Sequence, residues 1–95
     1  MITFGIITGG GQTSFINQII DSIEAEKIPQ YEILVIGSFL SAREHTRVYE
    51  FPDKQFPDWI TKKKNILAQL ATFETLVFLH DYIKLKEGWY QGFLQ

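Results

Sequence analysis

The polar tripeptide His80-Asp81-Tyr82 directly follows an apolar run at residues 76–79. An apolar run without alternation is typical of a strand buried on both faces, as in parallel sheets. Ligands of such sheets bind beyond the carboxyl ends of the strands, so an imidazole and a carboxylate at this point predict a binding site. Asp81 suits Mg²⁺ or Mn²⁺, which take further oxygens from water and substrate phosphates. The alternative is that His80 and Asp81 only turn the chain at the surface.

Three consecutive glycines, Gly9, Gly10 and Gly11, join a predicted strand to a predicted helix. Glycine tolerates positive φ and lets a phosphate approach the backbone N–H groups of a helix N-terminus. The segment does not match the G-x-G-x-x-G fingerprint, because Thr13 and Ser14 occupy the region of the third glycine, and it does not match the P-loop pattern G-x-x-x-x-G-K-[ST] either. A phosphate contact outside both motifs is one interpretation, and a flexible turn is the other.

Three lysines, Lys62, Lys63 and Lys64, lie at the start of the second predicted helix. Each exposed cation there opposes the helix macrodipole at a cost of about 0.3–1 kcal/mol, and a bound anion would reverse that penalty. Asn65 adds a hydrogen-bond donor and acceptor beside them. The lysines therefore predict an anion site, and the alternative is a solvated charged face.

Hydrophobic periodicity and turn residues predict the elements that must position these groups. The predicted strands are residues 2–8, 32–36, 46–51 and 76–79, and the predicted helices run from residue 13 or 14 to about 27 and from residue 58 or 61 to about 72. Thr13 or Ser14 is expected to cap the first helix. Residues 39–44 form a short helix or a loop, and no structure is assigned after Tyr82.

The order of these elements predicts the sheet. Strand–helix–strand units require parallel pairing through crossover connections. The simplest arrangement places the third strand beside the second, the second beside the first, and the fourth on the other side of the first, which gives the strand order 3-2-1-4. We therefore expect an α/β fold of three layers with an open, Rossmann-like parallel sheet. Its winding reverses between the first and fourth strands, so residues 8–12 and 80–82 should flank one crevice.

Length and composition restrict the class of protein. A chain of 95 residues, 45% hydrophobic and 21% charged, is expected to form one small folded domain. A formal net charge of −2 gives no general attraction to nucleic acid or anionic membranes. The absence of cysteine excludes disulfides, thiolate metal sites and a cysteine nucleophile. No apolar stretch approaches the roughly 18 residues of a transmembrane segment, so we expect a soluble, cytoplasmic protein.

Taken together, these segments resemble the N-terminal half of a family 2 glycosyltransferase of the GT-A fold, over nearly the whole chain. The resemblance rests on Phe4-Gly-Ile-Ile-Thr8, the Ser22-Ile23 helix, Tyr31-Glu-Ile-Leu-Val-Ile-Gly37, Lys63-Lys64-Asn65 and Val77-Phe-Leu-His-Asp-Tyr82. It implies a truncated GT-A domain in which residues 1–95 form the half that binds a nucleotide-diphosphate sugar.

The resemblance also implies roles for individual residues. Those expected to bind the nucleotide sugar are Thr8, Gly9, Gly10, Gly11, Gly37, Ser38, Lys63, Lys64, Asn65, His80 and Tyr82. Asp81 is expected to hold Mn²⁺ or Mg²⁺ against the diphosphate. The acidic D-x-D element of the family here contains one acidic residue, and Gly37-Ser38 stands where the family often has another. No catalytic residue is assigned.

The same resemblance implies an acceptor half, with the catalytic base, that residues 1–95 lack, so these residues alone are expected to transfer no sugar. A non-catalytic nucleotide-binding or interaction module of the same fold is the alternative. Four apolar residues near the end of the chain, Trp89, Tyr90, Phe93 and Leu94, have no evident partner in the predicted elements. Exposed apolar patches usually mark interfaces, and we therefore expect a homodimer.

Overall fold

The computed structural model of the protein describes residues 1–37, 46–50 and 60–94. The elements in these ranges are β1 (Ile2–Ile7), α1 (Thr13–Ala25), β2 (Tyr31–Ile36), β3 (Thr46–Tyr49), α2 (Ile60–Leu70), β4 (Thr75–His80) and α3 (Trp89–Phe93). The predictions for residues 38–44, for residue 51 and for a second helix that starts before Ile60 lie outside the described residues. Among the helices of these ranges, none is long and apolar enough to cross a membrane.

The four described strands form one parallel sheet in the order β3-β2-β1-β4, which confirms the predicted α/β fold and strand order. β1 is central, and at its end Ile7 lies opposite Ile36 of β2 and His80 of β4. Because the strands are parallel, the residues that follow these three positions lie side by side where the strands end. We call this side of the sheet, formed by the carboxyl ends of the strands, the carboxyl edge.

α1 covers one face of the sheet with a stripe of isoleucines. Ile16, Ile19, Ile20 and Ile23 recur at helical spacing and are fully buried. They belong to the same core cluster as Phe4 of β1. Full burial of one such side chain contributes roughly 1.5–3 kcal/mol. The stripe therefore holds α1 firmly on the sheet, with the start of the helix at the carboxyl edge.

The start of α1 differs from the prediction. Gln12, rather than Thr13 or Ser14, occupies the N-cap position, and no side chain makes a capping hydrogen bond there. The two glycines before Gln12 both have positive φ and turn the chain into the helix early. Thr13 therefore lies inside the first helical turn, where its hydroxyl is not in the N-cap position.

α2 covers the opposite face, which confirms the predicted three-layer arrangement. Leu67 is fully buried with Leu34 and Ile36 of β2. Gly5 in the centre of β1 permits this close packing, since a Cβ atom there would lie 3.0 Å from Cδ1 of Leu67. The helix of a strand–helix–strand unit begins at the carboxyl ends of the strands. Lys63, one turn before Leu67, is therefore brought to the carboxyl edge.

The C-terminal aromatic residues pack in part on the chain's own core, which corrects the prediction that they lack a partner. The Trp89 ring lies 5.6 Å from the Phe4 ring between centroids, and Trp89 and Tyr90 both contact the core cluster under α1. Sequence periodicity could not detect this contact because the residues between β4 and α3 carry no regular pattern. Phe93 and Leu94 remain 44% and 59% exposed.

Hydrogen bonds from α1 hold this C-terminal segment in place. The Ser22 hydroxyl accepts the backbone N–H of Leu85 at 3.0 Å, and Leu85 is buried. The Glu26 carboxylate accepts the backbone N–H groups of Gly88 and Tyr90 at 3.2 and 2.6 Å. These N–H groups lie at the start of α3 and would otherwise lack an intrahelical partner. Glu26, the C-cap residue of α1, therefore also acts as a cap for α3.

Candidate functional site

The register of the sheet brings three predicted site residues into one row. Ile36, Ile7 and His80 are partners across β2, β1 and β4, so the next residues, Gly37, Thr8 and Asp81, are neighbours at the carboxyl edge. Neighbouring strands lie about 4.8 Å apart, which is within reach of side-chain hydrogen bonds. Thr8 occupies the centre of this row.

Thr8 and Asp81 are joined by a hydrogen bond. The Thr8 hydroxyl donates to Oδ2 of Asp81 at 2.8 Å, across 73 positions of sequence. The backbone N–H of Gly10 donates to the same hydroxyl oxygen at 3.0 Å. Thr8 is 1% exposed, whereas Asp81 is half-buried. The two segments predicted to flank the crevice are therefore in direct contact.

A tight turn after β4 orients Asp81. The His80 carbonyl accepts the backbone N–H of Ile83 at 3.1 Å, which closes the turn around Asp81 and Tyr82. The rings of His80 and Tyr82 are stacked, with centroids 5.6 Å apart and planes 13° apart. Tyr82 is 68% exposed. The turn thus directs the carboxylate toward β1 and leaves an accessible aromatic surface beside it.

The glycine segment has the backbone conformation predicted for it at two of its three positions. Gly10 and Gly11 have φ of 102° and 75°, values that side chains rarely tolerate. Gly9 is exposed, and a Cβ atom there would meet nothing within 4 Å. The segment therefore needs glycine at Gly10 and Gly11, where it turns from β1 into α1.

Gly37 is required by its contact with Thr8. Its φ is 126°, and a Cβ atom on it would lie 1.9 Å from the Thr8 carbonyl oxygen. Its backbone N–H donates to the carbonyl of Tyr49 at 3.0 Å, which continues the pairing of β2 with β3. Gly37 thus belongs to the site as a close backbone neighbour of Thr8. Ser38, the other predicted residue here, lies outside the described residues.

Lys63 lies beneath the carboxyl edge with its side chain buried. It is 1% exposed, and its ammonium group donates to the Thr8 carbonyl at 2.9 Å. Its position four residues before the buried Leu67 places both on the helix face that packs on the sheet. Lys63 is among the site residues predicted from the sequence, but its contact with Thr8 is not predicted, because charge runs usually lie on solvated helix faces.

The other two predicted site residues of this helix, Lys64 and Asn65, lie at different positions around α2. Lys64 is half-buried, with its ammonium group 5.6 Å from the centroid of the Phe78 ring, a cation–π distance. Asn65 is exposed and lies roughly 200° around the helix from both Lys63 and Leu67. The structure therefore brings Lys63 to Thr8 but directs Asn65 away from the sheet.

The donor set at the carboxyl edge suits a cation that takes most of its ligands from elsewhere. Within the described ranges, no group of three or more His, Cys, Asp or Glu side chains is positioned to hold a metal ion. The carboxylate of Asp81 has acceptor capacity beyond its bond from Thr8. Mg²⁺ and Mn²⁺ are commonly held by one or two carboxylates together with water and substrate phosphates. Asp81 fits that mode of binding and does not fit an all-protein cage.

A second polar network lies at the amino ends of the strands, on the side of the sheet opposite the carboxyl edge. The sequence did not predict this network. The Glu32 carboxylate accepts hydrogen bonds from the hydroxyl of Thr3 at 2.7 Å, from the backbone and hydroxyl of Thr72, and from Arg47, with which it also forms an ion pair. Burial alone would raise the pKa of Glu32, but these hydrogen bonds outweigh burial and hold the pKa below its ordinary value. The network ties β1, β2, β3 and the residues before β4 together.

Comparison of the chain with protein-family models, with curated protein sequences and with solved structures gave no significant match. The assignment of a function therefore depends on the residues and the geometry of the carboxyl edge.

Proposed function

We propose that the chain binds a nucleoside diphosphate sugar at the carboxyl edge, as the donor-binding part of an inverting glycosyltransferase. The observation that carries this proposal is the hydrogen bond between Thr8 and Asp81. It joins the glycine segment after β1 to the turn after β4, at the point where the strand order reverses. Ligands of open α/β sheets bind at this point. The predicted cytoplasmic location belongs to the same proposal.

Each group at the edge has a role in this function. The backbone N–H groups between Gly9 and Gly11 offer donors to a phosphate at the start of α1. The exposed ring of Tyr82 offers a flat surface to the base or the sugar. The Lys64 ammonium lies on the α2 side of the sheet beside Phe78, where it adds positive charge for the diphosphate. The ammonium group of buried Lys63 donates a hydrogen bond to the Thr8 carbonyl and holds it in position.

Asp81 would hold the divalent cation in this site. When bound, the cation would neutralise the charge that develops on the leaving diphosphate as an acceptor hydroxyl attacks the anomeric carbon. Thr8 orients the carboxylate through its hydroxyl, and the turn closed by His80 and Ile83 limits the motion of Asp81. The described residues contain no group that we assign as the catalytic base.

Calorimetric titration with a panel of nucleoside diphosphate sugars, with and without Mn²⁺, tests this function. We expect at least one donor to bind in a Mn²⁺-dependent manner, and Asp81→Asn to weaken that binding at least tenfold, or about 1.4 kcal/mol. Glu87→Gln is the matched control, because it removes one carboxylate from an exposed position of the C-terminal segment. Equal affinity and equal Mn²⁺ dependence in the parent and Asp81→Asn would remove Asp81 from the site.

A second pair of variants tests the lysines. Lys64→Gln should weaken binding of the diphosphate donor, whereas Lys62→Gln should not, since Lys62 is exposed in the same helical turn. If instead Lys64→Gln leaves affinity unchanged, the Lys64 ammonium does not contact a bound diphosphate. That result would place the diphosphate away from α2.

A non-catalytic nucleotide-binding module is the second candidate. It is favoured by the single carboxylate in the turn after β4, where a metal-dependent transferase of the resembled family usually has two. This candidate predicts nucleotide binding that does not depend on Mn²⁺ and that survives Asp81→Asn. The same titrations therefore separate the two functions.

A further inference from the structure

Thr8 uses all of its polar groups in contacts that join separate elements. Its backbone N–H donates to the Ile36 carbonyl at 3.0 Å, and its carbonyl accepts the Lys63 ammonium at 2.9 Å. Its hydroxyl accepts the Gly10 N–H at 3.0 Å and donates to Asp81 at 2.8 Å. Thr8 is 1% exposed, so a ligand at the carboxyl edge has almost no access to its side chain.

The direction of these bonds gives the hydroxyl a specific function. A hydroxyl has one proton, and in Thr8 that proton is directed to Oδ2 of Asp81. The lone pairs are thereby turned toward the Gly10 N–H. A cation on the Asp81 carboxylate and the conformation of the glycine segment are therefore connected through one oxygen atom.

We infer that Thr8 is a positioning residue that couples the glycine segment to Asp81, so that ordering of one favours ordering of the other. The part of this inference that concerns a bound cation or phosphate rests on the proposed function. A cation that binds Asp81 holds the Thr8 hydroxyl in its present rotamer, and the bond to Gly10 then keeps the segment in its positive-φ conformation. By linkage, a phosphate that orders the glycine segment raises the affinity of Asp81 for the cation by the same factor. The resemblance implies direct contact of Thr8 with the nucleotide, whereas the burial of Thr8 supports this indirect role.

The ligand-free arm of the test measures amide hydrogen exchange at Gly10 by NMR in the parent, Thr8→Val, Thr8→Ser and Asp81→Ala. Valine has nearly the shape of threonine without its hydroxyl, whereas serine keeps the hydroxyl. We expect Gly10 exchange to be at least tenfold faster in Thr8→Val and Asp81→Ala, and to return toward the parent rate in Thr8→Ser. The amide of Ile20 in α1 serves as the internal control for global stability, since its side chain is fully buried.

The ligand arm repeats the exchange measurement with MnCl₂ and uridine diphosphate. Both together should slow Gly10 exchange in the parent and in Thr8→Ser, and should have no such effect in Thr8→Val. Mn²⁺ affinity, measured by calorimetry at saturating uridine diphosphate, should fall at least threefold in Thr8→Val and recover in Thr8→Ser.

The outcomes separate this inference from the function on which it rests. If Gly10 exchange in Thr8→Val and Asp81→Ala equals that of the parent, Thr8 does not couple the two segments, whatever the ligand is. If exchange changes as expected but the parent binds no nucleotide with Mn²⁺, the coupling holds and the proposed function fails. If Thr8→Val unfolds, Asp81→Ala decides the question, because it removes the same acceptor from a half-buried position.

Discussion

Replacement of Gly37 by alanine is the change that most directly tests the packing at the carboxyl edge. The new Cβ would lie 1.9 Å from the Thr8 carbonyl oxygen and 2.9 Å from the Thr8 carbonyl carbon and Cγ2. Favourable heavy-atom contacts lie at roughly 3.5–4.0 Å, so the ends of β1 and β2 would have to separate by roughly 1.5 Å or more. Such a shift would also stretch the bond from Lys63 to the Thr8 carbonyl.

The magnitude follows from two contributions. A residue other than glycine held at a φ of 126° costs of order 1–3 kcal/mol in backbone strain, and overpacking of a closely packed position costs about 1–3 kcal/mol. We therefore expect Gly37→Ala to lower the free energy of unfolding by about 2–6 kcal/mol. For a chain of 95 residues the total free energy of unfolding is about 5–14 kcal/mol. The lower limit of the loss corresponds to a fall of at least about 8 °C in melting temperature.

Thermal and urea unfolding followed by circular dichroism measure this effect. Gly9→Ala is the matched control, because a Cβ atom there meets nothing within 4 Å and the backbone does not have positive φ. We expect the control to unfold within about 0.5 kcal/mol of the parent. If Gly37→Ala were as stable as Gly9→Ala, the close approach of β2 to Thr8 would be wrong, and with it the row of residues at the carboxyl edge.

Two further predictions concern acid stability and self-association. The lowered pKa of Glu32 means that its carboxylate stabilises the fold above the unfolded-state pKa and that this contribution is lost as the pH falls through the folded-state value. The free energy of unfolding of Glu32→Gln, measured in urea, should therefore fall less than that of the parent between about pH 6 and about pH 3. Glu74→Gln, at an exposed position, is the control. If the two variants lost the same free energy of unfolding over this pH range, the Glu32 network would be contradicted. The exposed Phe93 and Leu94 should support the predicted homodimer, so Phe93→Ser combined with Leu94→Ser should give a monomer by light scattering. A parent that is already monomeric near 11.0 kDa would refute the homodimer.

Local sequence was sufficient for α1, for the four strands and for their order in the sheet, but not for α3. The isoleucines of α1 repeat at helical spacing, and the apolar runs of β1, β2 and β4 lack alternation, so both signals are contained in short windows of residues. Parallel strands joined by helices allow few topologies, and the order 3-2-1-4 followed from the simplest of them. This order also predicts that residues 8–12 and 80–82 lie next to each other, as the bond between Thr8 and Asp81 confirms.

Tertiary structure alone decided which atoms meet there. The bond from Thr8 to Asp81 depends on the register of β1 against β4, because a shift of β4 by one residue would turn the Asp81 side chain to the other face of the sheet, away from Thr8. Burial of Lys63 and exposure of Asn65 depend on the rotation of α2, which Leu67 and the space above Gly5 determine. These are contacts between residues far apart in sequence. The free energy of these contacts depends on packing across the whole sheet. A local pattern of residue types therefore cannot predict them.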